Sequence, residues 1–539
     1  MAWRMRQRDG RRKSCPAGRP AGWAWFMGLA VSCAVARGQQ AAGEPTPGQA
    51  LYAQHCAACH GTEGDGQGIA ALYLYPKPRN FQIGKFRLIS TPNGVPSRDD
   101  LMAVLVRGMP GSSMPPWGHL PADQREALID EVYRLFREGT RQRYIAHLRE
   151  QEQLSDEEIR SEEVQAEIRE VVQRQTTPQP PEPLPTLPGA DEQAIARGRE
   201  LYLRQSCHSC HGTEGKGDGV QRMIDDEGYP TRPRDLTRGI YKGGHDLASL
   251  YLRMYYGMPG TPMPASKNLT PQEIGDILHY LRSLSTEAQR EAVVLRRKTI
   301  DAVRVPRLPA DPSEAAWRGM GQPVAIGTFP LWWRDDAEPG LVVQAVHDGQ
   351  TLAIRLSWQD ATEDGSSLES DHFEDMAAVA LFRGPAEPLV GMGAAQGQVE
   401  LWHWRAGGAG PAIPPLDDYP FEGLPYTRLA QGALPDFLTA RAAGNLLAAA
   451  AREVGHLGAR GPGSTTFRPR AQQAVVAQAQ RAGGRWNVVL ARPLAMAAEQ
   501  GVPLAAGQKC SLALALWDGA ARERGPQKQV SIWHDLEVR

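Results

Sequence analysis

Hydrophobic positions fall into three patterns along the chain. Near the amino terminus an apolar run extends from Ala21 to Ala36, behind a basic region of Arg4, Arg6, Arg8, Arg11, Arg12, Lys13 and Arg19. In the middle of the chain apolar residues recur at helical spacing. Segments Asp123–Glu138 and Pro271–Leu284 carry Tyr133 and Tyr280 on an apolar face, and each predicts a helix. Val164, Ile168 and Val171 mark another amphipathic stretch within the charged region Arg141–Arg174, where Ser155-Asp-Glu-Glu158 is a capping-box pattern. Past about residue 306 the period shortens to that of strands. Leu341–His347 and Thr351–Trp358 flank Asp348-Gly349, a hairpin signal, and further strands are predicted at Ala377–Phe382, Val399–Trp404, Arg485–Leu490, Ser511–Trp517 and Val530–Val538.

The apolar run after the basic region is about 16 residues, shorter than the roughly 20 a bilayer-spanning helix needs, and Ala34-Val35-Ala36 offers a small-residue cleavage site. Residues 1–36 therefore read as a signal peptide, and the protein as exported to the periplasm. Lipidation at Cys33 and retention as an uncleaved anchor are the alternatives, and no membrane span is expected after cleavage. Losing seven basic residues and one acid moves the formal net charge from −1 to about −7. No concentrated basic stripe remains, so nucleic acid is not an expected partner.

Of seven cysteines, Cys15 and Cys33 lie in the export segment and Cys510 sits in an apolar run, where it reads as a buried thiol. The other four form Cys56-Ala-Ala-Cys59-His60 and Cys207-His-Ser-Cys210-His211, offset by 151 residues. Two thiols one helical turn apart each add to a haem vinyl group, leaving the adjacent imidazole beneath the iron. A zinc site or thiol redox pair is the alternative for a single CxxC. Duplication, with a histidine following both times, favours two covalently attached c-type haems.

The repetition extends beyond the cysteines. Leu51-Tyr52 matches Leu201-Tyr202, His60–Gly64 matches His211–Gly215, Pro78-Arg-Asn-Phe81 matches Pro233-Arg-Asp-Leu236, and Arg107–Trp117 parallels Tyr256–Ala265. These residues resemble class I cytochrome c domains, mainly α-helical units in which an amino-terminal and a carboxy-terminal helix cross beside the haem. The resemblance implies His/Met ligation by His60 with Met114 and His211 with Met263, leaving Met109 and Met258 as packing residues. Arg79 and Arg234 read either as surface arginines or as groups near the haem propionates.

The organisation that follows is a signal peptide at 1–36, a cytochrome c domain at 47–140, a charged helix and proline-rich linker at 141–189, a second cytochrome c domain at 190–285, a connector at 286–305, and an all-β sandwich at 306–539. The linker run Pro178–Pro188 is a semi-rigid spacer.

The sandwich region resembles the haem-binding domain of ethylbenzene dehydrogenase and of gamma subunits in the dimethyl sulfoxide reductase family of molybdenum enzymes. Leu356-Ser-Trp358, Phe373–Phe382, Gly391-Met-Gly393, Val399–Trp404, Trp486–Leu494, Leu516–Gly519 and Val530–Trp533 carry the resemblance. It implies a haem b held between a methionine and a lysine. Met392 matches the methionine, whereas the stretch Thr465–Arg470 carries arginines, which stay protonated and do not ligate iron. Lys509 and Lys528 are the lysines beyond residue 306, His403 is a substitute ligand, and an apolar sandwich without haem is the alternative.

The expected function is single-electron transfer by a multihaem cytochrome, acting with a redox partner such as a molybdenum oxidoreductase that has an iron–sulfur subunit. Two alternatives stand beside it. One is a dihaem peroxidase-type enzyme. The other is a dihaem carrier whose sandwich binds carbohydrate through Trp332, Trp333, Trp402 and Trp404. No catalytic residue is assigned, and no paired-carboxylate constellation stands out.

Overall fold

Two helices of the first repeat, the first and the third, start where the sequence supplies a capping box. The computed structural model describes residues 44–334, 336–337, 340–365, 373–389, 398–409, 454–461, 464–469 and 472–539. Helix α1 (Pro47–His55) has a proline in its first turn and a reciprocal capping box between Thr46 and Gln49. Then come the single turn α2 (Ala57–His60), α3 (Arg98–Arg107) capped by Ser97 and Asp100, and α4 (Ala122–Glu150). The second repeat reuses the plan with α7 (Glu192–Arg204), α8 (His208–His211), α9 (Leu247–Tyr255) and α10 (Pro271–Ser283), and inserts a small hairpin, β1 (Met223–Ile224) and β2 (Pro230–Thr231).

In both repeats the first and last helices cross at a glycine. A Cβ on Gly48 would stand 2.4 Å from the Ala127 carbonyl oxygen, and one on Gly198 would stand 2.0 Å from that of Asp276. Only glycine admits so close an approach. The crossing buries Leu128, Ile129 and Tyr133 in one repeat and Ile274, Ile277, Leu278 and Tyr280 in the other. Burial of each such aliphatic side chain stabilises by about 1.5–3 kcal/mol.

Helix α4 runs well past the predicted Glu138. Its extra turns receive α5 (Asp156–Arg160) and α6 (Glu162–Thr176), with Leu148, Ile159 and Ile168 packed together, so the amphipathic face of the charged stretch is buried at Ile168 and Val171. The proline-rich segment is tied at both ends. Asn93 bonds Thr177 and Gln179, and His279 Nε2 lies 2.8 Å from the Pro188 carbonyl.

After α11 (Glu287–Ala292) the chain enters a large β-sheet domain. Its strands are β3 (Thr299–Arg304), β4 (Val324–Gly327), β5 (Phe329–Pro330), β6 (Gly340–His347), β7 (Thr351–Gln359), β8 (Met376–Phe382), β9 (Val399–Arg405), β10 (Val454–Ala459), β11 (Thr466–Phe467), β12 (Val476–Ala482), β13 (Arg485–Pro493), β14 (Lys509–Trp517), β15 (Gln529–Val530) and β16 (His534–Val538), with the turn α12 (Glu314–Trp317) before β4. The hydrogen-bonded path runs β11-β10-β9-β8-β14-β16-β3-β6-β7-β13-β12, with β4 on β6 and β5 joined through β15 to β14. The two halves of this path face each other, because Trp404 of β9 packs on Trp358 of β7 (6.1 Å between ring centroids) and on Trp486 of β13 (5.0 Å).

Strands β4, β5, β10, β11 and β12 are not among those expected, and two further differences have a clear cause. Residues 299–304 lie within the expected connector yet form β3, parallel to both β16 and β6, with Ile300 and Ala302 fully buried. The preceding Arg296-Arg297-Lys298 masks so short an alternation. The single strand expected at Val530–Val538 is broken at Ser531–Trp533, where the Ser531 hydroxyl accepts from Leu514 N and the Trp533 indole donates to the Pro388 carbonyl. The 341–358 hairpin forms as expected, with Asp348 Oδ1 accepting from Gln350 N and Thr351 N across the turn. Cys510 is a buried thiol.

Candidate haem centres

The Cys56–His60 turn begins where α1 ends. Cys59 N and His60 N both donate to the Cys56 carbonyl, at 3.1 and 2.9 Å, which sets the two thiols one turn apart. Gly61 leaves the helix, and the Tyr52 hydroxyl donates to its carbonyl at 2.9 Å. His60 Nδ1 lies 2.9 Å from the Arg79 carbonyl and its ring stacks on Phe81 at 4.5 Å. This bond fixes the tautomer and ring orientation and leaves Nε2 for a ligand.

Opposite stands the methionine loop. Met109 N donates to the Met114 carbonyl at 3.0 Å, and Ser112 N closes a turn onto the Met109 carbonyl at 3.0 Å. Cys56, Cys59, His60, Met109 and Met114 all line one cavity of about 1710 Å³, counted to its open mouth. Burial pushes the Cys56 thiol up to about 12 and the Cys59 thiol up to about 11, and it lowers His60, so the donors are a neutral imidazole and a neutral thioether. The charged side chains on the wall are all cationic, namely Lys77, Arg79, Arg87 and, from the second repeat, Lys242. Burial first, then Arg234, Arg87 and Arg79, lowers the Lys242 amine well below its ordinary value. Arg79 and Arg87 are paired with Glu227 and Asp225, and the apolar walls with an imidazole and a thioether suit a planar apolar macrocycle.

The second repeat is built with the same bonds. His211 N donates to the Cys207 carbonyl at 3.0 Å, the Tyr202 hydroxyl to Gly212 O at 2.6 Å, and Met258 N to the Met263 carbonyl at 3.2 Å. Burial holds His211 down at about 4, and its buried Nδ1 has no hydrogen-bond partner among the described residues. The imidazole of the first repeat is thus oriented by a backbone carbonyl, and that of the second is not.

The β domain forms part of the first wall. Phe329, Leu331, Leu389 and Val530 line the cavity, Tyr75 N donates to the Leu331 carbonyl at 2.9 Å, and the Ser113 hydroxyl donates to the same oxygen at 3.2 Å. Met392 lies outside the described residues. Of the other ligand candidates, Lys509 is exposed, while Lys528 stands over the Trp517 ring at 4.8 Å and His403 meets the same ring edge-on at 5.5 Å. Burial lowers the Lys528 amine to about 8 and the His403 ring to about 4.

The tryptophans proposed for sugar stacking are committed elsewhere. Trp402 and Trp404 are fully buried in the sheet core, Trp332 packs on Tyr75 and beneath Lys77, and Arg234 lies 3.8 Å over Trp333. A carboxylate constellation went unseen in the sequence. Asp360, Asp375 and Asp518 bring one oxygen each within 4.8 Å of one another. Burial pushes Asp375 up to about 6, and it accepts from Asp364 N, Gly519 N and the Trp486 indole, pinning loops 144 residues apart that leave no local signature.

The helical half consists of cytochrome domains. Residues 195–285 match the family model described as Cytochrome c, and residues 43–130 match that of Cytochrome C oxidase, cbb3-type, subunit III. The chain is also similar to three subunits of larger enzymes. It is 27% identical over 240 residues to a protein of Haloferax mediterranei described as a respiratory nitrate reductase heme subunit, covering 44% of this chain and 70% of that one. It is 29% identical over 198 residues to the chlorate reductase subunit gamma of Ideonella dechloratans, covering 36% and 64%. It is 26% identical over 250 residues to the dimethylsulfide dehydrogenase subunit gamma of Rhodovulum sulfidophilum, covering 44% and 79%. Among the described residues no helix is long and apolar enough to cross a membrane.

Proposed function

We propose that the protein is an exported electron-transfer subunit carrying two c-type haems, one per repeat, and serving a molybdenum oxidoreductase of the dimethyl sulfoxide reductase family. The observation that carries this reading is the convergence of Cys56, Cys59, His60 and Met114 on one cavity, with the same loop hydrogen bonds repeated around Cys207, Cys210, His211 and Met263. The three similar subunits, of nitrate reductase, chlorate reductase and dimethylsulfide dehydrogenase, supply the class of partner.

Haem in each repeat supplies a one-electron centre. The cysteines tether it from one turn of helix, and His60, locked through Nδ1 to the Arg79 carbonyl, presents Nε2 from a fixed direction. Met114, on the same cavity as His60, would supply the second donor to a bound haem and leave no open position for a peroxide, which disfavours the peroxidase reading. Apolar residues of the β domain keep water from the first cavity, and Lys77 at its wall would offset propionate charge.

For the β domain we propose a haem b with Lys528 as one ligand. The Lys528 amine stands over the Trp517 ring at 4.8 Å, His403 meets the same ring edge-on, and burial lowers the amine. The test is a pyridine haemochrome spectrum before and after acid-acetone extraction of protein matured with the c-type machinery. Two covalent haems plus one extractable haem is the expected result. Fewer than two covalent haems refutes the dihaem reading, and nothing extractable from haem-replete protein refutes the third centre.

A further inference from the structure

The two repeats meet as near-equivalent surfaces. Leu88 and Gly243 follow the same landmarks in their repeats, and they touch, a Cβ on Gly243 standing 3.4 Å from Leu88 Cδ2. Self-contact of equivalent positions marks a two-fold relation, in which residue i of one unit meets j of the other and j meets i. The arginines obey that rule. Arg234 of the second repeat lies against the methionine loop of the first, where a Cβ on Gly111 would stand 3.0 Å from its Nε. Arg79 of the first repeat lies against the methionine loop of the second, where a Cβ on Gly260 would stand 3.0 Å from its Nη1.

Both arginines are held from several sides. Arg234 is buried over the Trp333 ring, and Arg79 donates to the Lys85 carbonyl at 2.8 Å and pairs with Glu227. The hairpin that carries Glu227 also pairs Asp225 with Arg87 and Asp226 with Lys85, and Asp226 N donates to Gly260 O at 3.4 Å. Side chains so constrained cannot retreat when the loop beside them moves. Each loop has a glycine at the contact, with φ +73° at Gly111 and +76° at Gly260, which lets the partner arginine reach its backbone.

We infer that the two centres brace one another: Arg234 positions the Met109–Met114 loop of the first centre, and Arg79 positions the Met258–Met263 loop of the second. Each arginine acts on the repeat to which it does not belong. The inference rests on the dihaem reading above, with Met114 and Met263 as axial ligands. It separates the two functions of Arg79, whose carbonyl serves its own centre through His60 while its side chain serves the other.

Arg79→Gln and Arg234→Gln test this in the full, haem-loaded chain, because both keep the backbone carbonyl. The readout is the near-infrared charge-transfer band that methionine ligation gives to ferric haem, with the two centres separated by placing each change in Met114→His and Met263→His backgrounds. With Met263→His the band reports the first centre, and Arg234→Gln weakens it while Arg79→Gln does not. With Met114→His the dependence inverts. Arg→Lys variants, which retain the charge and part of the reach, recover most of the band. Loss at the arginine's own centre, or equal loss at both, overturns the inference. If the parent carries no covalent haem, the dihaem reading fails by itself. The brace is then read by amide hydrogen exchange, which Arg234→Gln speeds at Met109 and Ser112 by about tenfold as the packing against Gly111 loosens. An unchanged rate there overturns it.

Discussion

Replacing Arg492 by Met tests what holds the interior of the β domain together. Arg492 and Glu400 are both about 1% exposed, joined by Nε–Oε1 at 2.9 Å and Nη2–Oε2 at 3.1 Å. Glu400 also accepts from His456 Nε2 at 3.0 Å, from the Trp402 indole at 2.7 Å and from Val502 N at 2.6 Å, and Arg492 donates to the Val502 carbonyl at 2.6 Å. Burial alone pushes the Glu400 carboxyl up, but His456, Arg492 and the two N–H donors outweigh it and hold the group down at about 2. Removing the guanidinium leaves a buried carboxylate uncompensated, at a cost of about 3–5 kcal/mol. For a domain of this size that is a fall of roughly 6–20 °C in Tm, at about 2–4 °C per kcal/mol. Because Leu331 and Val530 line the first cavity, the haem absorbance of the first centre changes in the same transition. The assay is thermal unfolding followed at the amide and haem bands together. Glu400→Gln added to Arg492→Met recovers the charge-dependent share of the loss. A Tm within about 2 °C of the parent, or a haem transition separate from the sheet transition, refutes the reasoning. The pH dependence has a fixed sign. The folded-state value of Glu400 lies below its ordinary 4.5, so its contribution is complete above that pH and is lost as pH falls through about 2.

Further outcomes follow from the same contacts. Cys56→Ala with Cys59→Ala leaves one covalent haem per chain, and Cys207→Ala with Cys210→Ala leaves the other, as counted by the pyridine haemochrome. Gly198→Val places a side chain 2.0 Å from the Asp276 carbonyl, so it unseats α7 from α10 and costs at least about 1–3 kcal/mol, read by chemical denaturation. Lys528→Met removes the amine over Trp517 and abolishes extractable haem while leaving the covalent count unchanged. Trp333→Ala leaves affinity for cello-oligosaccharides at background, measured calorimetrically, because its ring is occupied by Arg234.

The sequence by itself determined everything that depends on local spacing. The CxxCH turns need two residues between thiols on one helical turn, and the first forms where Cys56 caps α1. The capping boxes at Ser155 and Thr270, the apolar faces of α4 and α10, and the Asp348 turn are likewise settled by near neighbours. The repeats were legible because both copies keep the same short segments. What only the tertiary structure decided joins residues far apart in the chain. Strand β3 exists because β16 and β6 lie on either side of it, and six residues behind a charge run carry too weak a period to announce it. Trp332 and Trp333, candidates for sugar stacking in the carbohydrate alternative, become the seam where the β domain meets both repeats. The cationic side of the first cavity draws Lys242 from the second repeat, and each methionine loop receives an arginine from the other repeat. Such contacts arise from packing two similar surfaces face to face, a relation that is set by shape and charge across the interface and that no local pattern encodes.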